Sequence, residues 1–305
     1  MKILYIGCER FIQIFAAKMH QLGESADSYD LNVWKRMGIF QRLRIISACD
    51  VIHYYWGRRI RLEEILMARL LGKRIIFTFI GSDVMRVTRA AWWKRWRARL
   101  GMKMVHQVTT VAPWLRDELE TIHIQSRVVF TAFIESQSET CPLPEQFTVL
   151  SYIPEDRPHF YGWKTVLRLA REMPEINFEI VGTAGKDLEK EPNIHFHGWV
   201  SPIIPYINRA NVLLRLTEHD GLPWMMLEAL SCARHVIWTY QFPFCQPHGR
   251  YEDTKQNLLF LKEKSSLNYG GAAYIRDNFS EEKIMNKWKD MYSKGNYIVC
   301  DHDNG

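Results

Sequence analysis

The sequence predicts an α/β protein built from two doubly wound parallel-sheet domains in tandem, and three observations carry that expectation. Short apolar runs alternate with amphipathic segments along the whole chain, which is the pattern of buried parallel strands covered on both faces by helices. The alternation breaks at Pro142-Leu143-Pro144 and then restarts. At 305 residues the chain is too long for one comfortable core and suits two of roughly 150 residues each.

In chain order, residues 3–7 read as a first buried strand, followed by a helix over 11–22 that Gly23 ends. Residues 51–55 and 74–79 are further strands, with an amphipathic helix over 62–71 between them and Gly72 closing it. Residues 107–111 form the next strand. The Pro-containing stretch 134–146 reads as the linker. Beyond it, 147–152 is a strand, 164–171 a helix and 178–181 a strand closed by Gly182. Residues 212–216 form a strand leading into a helix over 224–232, and 235–238 another strand. Ser280 is placed to cap a last helix. The expected division is 1–142, 143–279 and a helical tail 280–305. There is no repeat at a period of 20–50 residues.

Composition excludes several classes. Apolar residues make up 47% of the chain, too much for a disordered protein. No apolar run approaches the ~18 residues of a membrane-spanning helix. The run within Met1-Lys2-Ile3-Leu4-Tyr5-Ile6-Gly7 is shorter than the ~7–15-residue core of a secretion signal. A cytoplasmic protein is therefore expected. Six cysteines without a C-x-x-C pair point to reduced thiols, not to a disulfide framework or zinc site. His195 and His197 fall on one face of an expected strand, but two ligands without a third do not make a metal site. No metal is expected. Gly182-Thr183-Ala184-Gly185-Lys186 lacks the full spacing of a P-loop.

The most informative stretch is Leu214-Arg215-Leu216-Thr217-Glu218-His219-Asp220-Gly221-Leu222-Pro223-Trp224-Met225-Met226-Leu227-Glu228. It reads as a strand, a polar turn and a helix beginning near Pro223, because proline suits the first helical position. The free amides and dipole end of such a helix favour an anion such as a diphosphate. Glu228, about one and a half turns in, is placed to accept hydroxyl hydrogen bonds from a bound sugar. A capped helix with an ordinary surface glutamate accounts for the same pattern.

With Asp220 and Glu228 separated by seven residues, this stretch resembles the acidic motif of the retaining GT-B glycosyltransferases of the family-4 type. Most members carry Glu at the first position, and a subset with an H-D-G turn is closer to His219-Asp220-Gly221. The resemblance implies two Rossmann-like domains facing a central cleft, with the last helix crossing back to the first domain. It implies that Asp220 sits by the donor sugar, the Gly221 and Leu222 backbone by sugar and diphosphate, and Glu228 on the nucleotide ribose. His219 joins the donor-binding candidates. Ser151-Tyr152-Ile153-Pro154-Glu155-Asp156-Arg157-Pro158-His159-Phe160-Tyr161-Gly162-Trp163-Lys164 resembles the family loop whose Arg and Lys bind the donor diphosphate, which makes Arg157 and Lys164 candidates. Two surface cations in a loop is the plain alternative. Tyr161 stands where members carry Lys, and Pro223 where they carry Gly.

Asn193-Ile194-His195-Phe196-His197-Gly198-Trp199-Val200 resembles the strand and turn that frame the nucleotide base, giving Gly198 and Val200, with Gly182 beside them, as donor-side candidates. In the first half, Thr78-Phe79-Ile80-Gly81-Ser82-Asp83-Val84 resembles a segment near the acceptor, with Ile80 where a His is common. Asp83 is placed to touch an acceptor hydroxyl or to cap the following helix. Gly7 and His53 are the other acceptor-side candidates, although a lone strand histidine is more often a core residue.

Charge divides unevenly. Residues 1–140 hold 22 Lys and Arg against 13 Asp and Glu, while the remainder holds 18 against 21. Between Val84 and Arg116 there are eight bases and no acid. Trp92, Trp96, Arg99 and Lys103 recur there at helical spacing, with Trp93, Lys94, Arg95 and Arg97 among them. Tryptophan favours the membrane interface and each cation near an anionic leaflet adds about 1 kcal/mol. Contact with an anionic membrane surface is expected, against alternatives in which the tryptophans pack on their own sheet or the patch binds nucleic acid.

The expected activity is transfer of a sugar from a nucleotide-diphosphate sugar to a hydroxyl of a glycan or lipid-linked acceptor, with no cofactor beyond that donor. The enzyme would work on the inner face of the membrane. A catalytically inactive scaffold of the same fold, binding nucleotide or carbohydrate, is the alternative. A basic nucleic-acid-binding protein is the third, and no RNA-binding signature accompanies the patch.

Overall fold

The computed structural model describes residues 1–55, 62–135 and 140–294. Part of the expected linker and of the expected tail, and Cys300 with it, lie outside them. The chain forms two compact units, one from Met1–Thr131 together with the chain from Glu282 onward, the other from Ala132–Glu281.

The first unit opens with β1 (Lys2–Gly7), α1 (Glu9–Gln21), β2 (Ser25–Asp30), α2 (Leu31–Arg36), α3 (Ile39–Ser47) and β3 (Val51–Tyr55). It continues with α4 (Leu62–Leu70), β4 (Arg74–Phe79), α5 (Ser82–Thr88), α6 (Trp92–Lys103), β5 (Gln107–Thr110), α7 (Pro113–Glu120) and β6 (Arg127–Val128). The strands pair in parallel in the order β2-β1-β3-β4-β5-β6. β3 is buried along its whole length, as a strand covered on both faces requires. β2 escaped the sequence reading because Ser25–Asp30 carries little apolar surface; it is an edge strand that buries only Ala26.

The second unit runs β7 (Thr148–Tyr152), a single 3₁₀ turn (His159–Tyr161), α8 (Trp163–Glu172), β8 (Asn177–Val181), β9 (Ile194–Phe196) and α9 (Ile204–Asn208). Then come β10 (Val212–Arg215), α10 (Trp224–Ser231), β11 (His235–Trp238), β12 (Gln246–Pro247), α11 (Tyr251–Lys264) and α12 (Tyr269–Asn278). The last helix, α13 (Glu281–Lys294), lies almost wholly in the first unit. Its Trp288 and Tyr292 are buried there, the Trp288 indole donating to the Phe130 carbonyl at 2.9 Å. The second sheet is also parallel, ordered β12-β11-β10-β7-β8-β9. Strand order therefore reverses between β7 and β10, the arrangement of a dinucleotide-binding sheet. The apolar face of α8 (Trp163, Val166, Leu169, Ala170) packs against Val149, Phe178 and Val212 of the strands.

One difference from the sequence reading concerns the site, and one alternative that reading left open is removed. Pro223 is the residue before α10 and holds an extended ψ of 132°, so the helix starts at Trp224. Pro223 fits there because its φ of −79° suits the approach while its ring contributes no amide. The tryptophans of α6 do not pack on their own sheet: the buried face is Ala98, Gly101 and Met102, and Trp92, Trp93 and Trp96 are 74%, 49% and 57% exposed.

Candidate functional site in the second unit

In an open parallel sheet, ligands sit beyond the carboxyl ends of the strands where the order reverses. In the second unit those ends are the loop after β7, carrying Arg157 and leading to Lys164, and the loop after β10, carrying His219, Asp220, Gly221 and Leu222. Glu228 follows one turn into α10 and is half-buried. The structure thus gathers the sequence candidates of this half around one edge of one sheet.

The two loops are stitched together. The Glu218 amide donates to the Phe160 carbonyl at 2.9 Å. This approach requires glycine at 162, whose φ of +82° lies in the left-handed region and whose Cβ, if present, would stand 2.5 Å from Leu216 Cβ. On the neighbouring strands, Gly182 and Gly198 meet directly. The Gly182 amide donates to the Gly198 carbonyl at 2.6 Å and the Gly198 amide to the Thr183 carbonyl at 2.9 Å. Val200 is half-buried just beyond. Trp199, which the sequence reading passed over, presents an indole 69% exposed at this edge.

Asp220 has defined partners. Its Oδ2 accepts from Arg215 Nε at 2.6 Å and from the Thr217 hydroxyl at 3.0 Å, while Oδ1 accepts from the Gly221 amide at 3.0 Å. The Asp220 amide donates to the Tyr240 hydroxyl at 3.3 Å. Arg215 is a site residue the sequence reading missed, because a strand-terminal arginine inside a family-like motif gave no separate signal. Its side chain is 10% exposed and its guanidinium stands 5.7 Å from the Tyr161 ring centre. Burial works against the Arg215 charge, but the Asp220 carboxylate outweighs it and holds the guanidinium pKa above its ordinary value. Burial also pushes the phenols of Tyr152 and Tyr161 up, so both are neutral donors near pH 7.

Arg157 and Lys164 are exposed cations at the same edge. Arg157 pairs with Asp156 at 3.3 Å and lies over the rings of Phe160 and Tyr161 at 5.5 and 6.0 Å. Tyr161 thus places an aromatic face between Arg157 and Arg215. The edge therefore offers a buried, compensated arginine, two exposed cations and a half-buried carboxylate, a set suited to an anion joined to a hydroxyl-bearing ring.

The first-unit candidates take other roles. His53 is a core histidine, not an exposed group facing an acceptor. It is fully buried, its Nδ1 2.6 Å from the Tyr292 hydroxyl and its Nε2 2.6 Å from the Thr78 hydroxyl. Asp83 is not the cap: it lies inside the first turn of α5, whose N-cap is Gly81, and its carboxylate accepts from the preceding Ile80 and Gly81 amides at 3.1 and 2.9 Å, bracing the turn into the helix. Gly7 ends β1, where a Cβ would fall 2.6 Å from the Tyr55 carbonyl. Its need is close packing at the reversal between β1 and β3. His197 pairs with Glu179, and among the described residues no group of three potential metal ligands occurs. Nor is any described helix long and apolar enough to cross a membrane.

Comparison with known proteins places this geometry. Residues 154–263, spanning the loop after β7 through α11, match the family model described as Glycosyl transferases group 1. No curated protein sequence matches the chain. A glycosyltransferase from Rickettsia africae ESF-5 superposes with a TM-score of 0.73 at 13% identity, covering 96% of this chain and 98% of that one. Sucrose-phosphate synthase from Thermosynechococcus elongatus gives 0.72 at 11%, with the same coverage of both chains. The pneumococcal O-GlcNAc transferase in complex with UDP and GlcNAc gives 0.62 at 12%, covering 84% of this chain and 60% of that one. The fold is that of the GT-B glycosyltransferases.

Proposed function

We infer that this chain is a glycosyltransferase that uses a nucleotide-diphosphate sugar and delivers the sugar to a hydroxyl of a glycan or lipid-linked acceptor. The observation that carries the reading is the family match across residues 154–263, which falls on the loops at the strand-order reversal of the second sheet. The pneumococcal relative, whose complex holds UDP and GlcNAc, supports a nucleotide sugar as the donor class.

In this reading Arg157 and Lys164 meet the diphosphate, where cations offset the charge that develops on the leaving group. The Gly221 and Leu222 backbone lines the sugar and diphosphate, and His219 and Asp220 face the sugar. Glu228 takes the ribose hydroxyls. Gly182, Gly198 and Val200 border the base. Orientation of the acceptor hydroxyl against the donor carbon supplies the rest of the rate. Retention of anomeric configuration follows the family resemblance. The exposed tryptophans and cations of α6, with Lys94, Arg95, Arg97 and Arg99 beside them, are the membrane-contacting surface, and the enzyme works as a peripheral protein on the cytoplasmic face.

A thermal-shift panel with UDP, GDP, ADP and CMP tests the donor site. A ligand at about 100 times its dissociation constant adds about 2.7 kcal/mol to the folded state. One nucleotide is expected to raise the midpoint by several degrees, less so in Glu228→Ala, and wild type but not that variant is expected to release free nucleotide from the matching sugar conjugate.

The pairing of Asp220 with Arg215 favours one second reading, an inactive scaffold of this fold whose acid serves structure alone. Nucleotide binding without turnover of any sugar conjugate would select it.

A further inference from the structure

At the amino ends of β5 and β6, the opposite end of the first sheet from the strand carboxyl ends, lies an open groove of about 850 Å³. The last turn of α6 forms one wall with Arg99 and Lys103, and the turn after α7 forms another with His123. His106, leading into β5, stands between them. Glu120 is the one carboxylate in the lining, and Met102, Val105, Val108 and Ile124 contribute its apolar part. The groove thus gathers two cations, Arg99 and Lys103, and two imidazoles, His106 and His123, against a single acid.

Its polar atoms have a fixed direction. His106 Nδ1 accepts from the Ile75 amide at 3.1 Å, which puts the ring proton on Nε2 as a donor. Burial, with Arg69 and Arg74 nearby, keeps His106 neutral by lowering its pKa. Those two arginines are themselves held, Arg69 on the Met104 carbonyl at 3.2 Å and Arg74 on the Tyr292 carbonyl at 2.9 Å. They strengthen the positive field at this edge without filling the groove.

The groove is also continuous with a second feature. Trp92, Trp96, Arg99 and Lys103 share one stripe of α6 by their helical spacing. The stripe passes over about 16 Å from two exposed indoles to two groove cations. An amphiphile with a phosphorylated head meets both chemistries, but the groove alone calls only for the phosphate.

We propose that this groove is a binding site for a phosphate group, presented by a soluble phosphate compound or by a lipid headgroup. The site is separate from the donor edge of the second unit, and it stands whether or not the chain transfers sugars.

Two probes and one double variant test it. Lys103→Gln removes a groove cation. His123→Asn removes a groove imidazole while keeping a residue that tolerates the left-handed φ of +57° found there. Inorganic pyrophosphate is titrated by calorimetry into the full chain, and in parallel the chain is sedimented with phosphatidylcholine vesicles containing phosphatidate. Binding of either probe by wild type, about tenfold weaker in the double variant with an unchanged melting temperature, supports the site. Pyrophosphate binding marks a soluble ligand. Binding to the phosphatidate vesicles alone, absent with pure phosphatidylcholine, marks a headgroup. Failure of both probes on wild type overturns the proposal, as does binding that the double variant retains in full, since that anion would sit elsewhere. If the double variant melts early, Lys103→Gln alone is read by the same criteria, and unchanged binding then overturns the proposal.

Discussion

Arg215 and Asp220, five residues apart at the end of β10, form a mostly buried ion pair with Nε 2.6 Å from Oδ2. The pair bends the turn that leads into α10. Removing one partner leaves a charge in a site built for two, a loss of about 3–5 kcal/mol. Asp220→Ala is therefore expected to lose about 3 kcal/mol in urea unfolding. The double variant Arg215→Leu/Asp220→Leu is expected to lose clearly less than the sum of the single leucine changes. Strict additivity would show that the two side chains act independently.

Gly162 and Gly198 both hold left-handed φ values, +82° and +67°, but differ in room. Alanine at 198 meets no atom within 4 Å and is expected to cost about 1 kcal/mol from backbone strain alone. Alanine at 162 adds a clash with Leu216 and is expected to cost about 3 kcal/mol or more. The comparison of unfolding midpoints checks whether the two loops of the site truly depend on that approach.

His53 sets a pH dependence. Its burial holds the folded-state pKa well below the usual histidine value, so on acidification the unfolded chain takes up a proton that the folded chain refuses. The stabilisation is complete above about pH 6.5 and is lost as pH falls, by up to about 1.4 kcal/mol per unit. His106, His235 and His248 are lowered by burial as well and add the same sign. His53→Gln is expected to flatten the slope of stability between pH 6.5 and 5 by about one proton. An unchanged slope would place the acid sensitivity elsewhere.

The three tryptophans at the start of α6 make no demand on the fold, being largely exposed. Trp92→Ser, Trp93→Ser and Trp96→Ser together are expected to leave the melting temperature within about 2 °C. The same triple variant is expected to lose most co-sedimentation with anionic vesicles. Retained sedimentation would remove membrane contact from the proposed function.

Strands such as β3 and β4 were legible because they are unbroken apolar runs, and α8 because its buried residues recur at helical spacing. β2 was not legible, since an edge strand needs little apolar surface and Ser25–Asp30 has little. The acidic turn was found from its family pattern, which named Asp220 and Glu228 but gave no sign of Arg215. A partner set by a turn's geometry leaves no periodic trace in sequence. His53 shows the same limit from the other side: its hydroxyl partners Thr78 and Tyr292 come from residues 25 and 239 positions away.

The return of α13 to the first unit orders events during synthesis. The Trp288 indole lies tilted against the His53 ring with centres 4.8 Å apart, and the Tyr292 hydroxyl bonds both His53 and Tyr5. Until the ribosome has delivered them, β1 and β3 lack these two aromatic neighbours and His53 keeps only its Thr78 partner, its Nδ1 lacking the Tyr292 hydroxyl. The intervening Ala132–Glu281 takes about 8–30 s to translate at ~5–20 residues per second. The amino-terminal unit is thus the later of the two to be completed, and nascent chains stalled before α13 hold its aromatic cluster only from the α1 side, through Phe11 and Phe15.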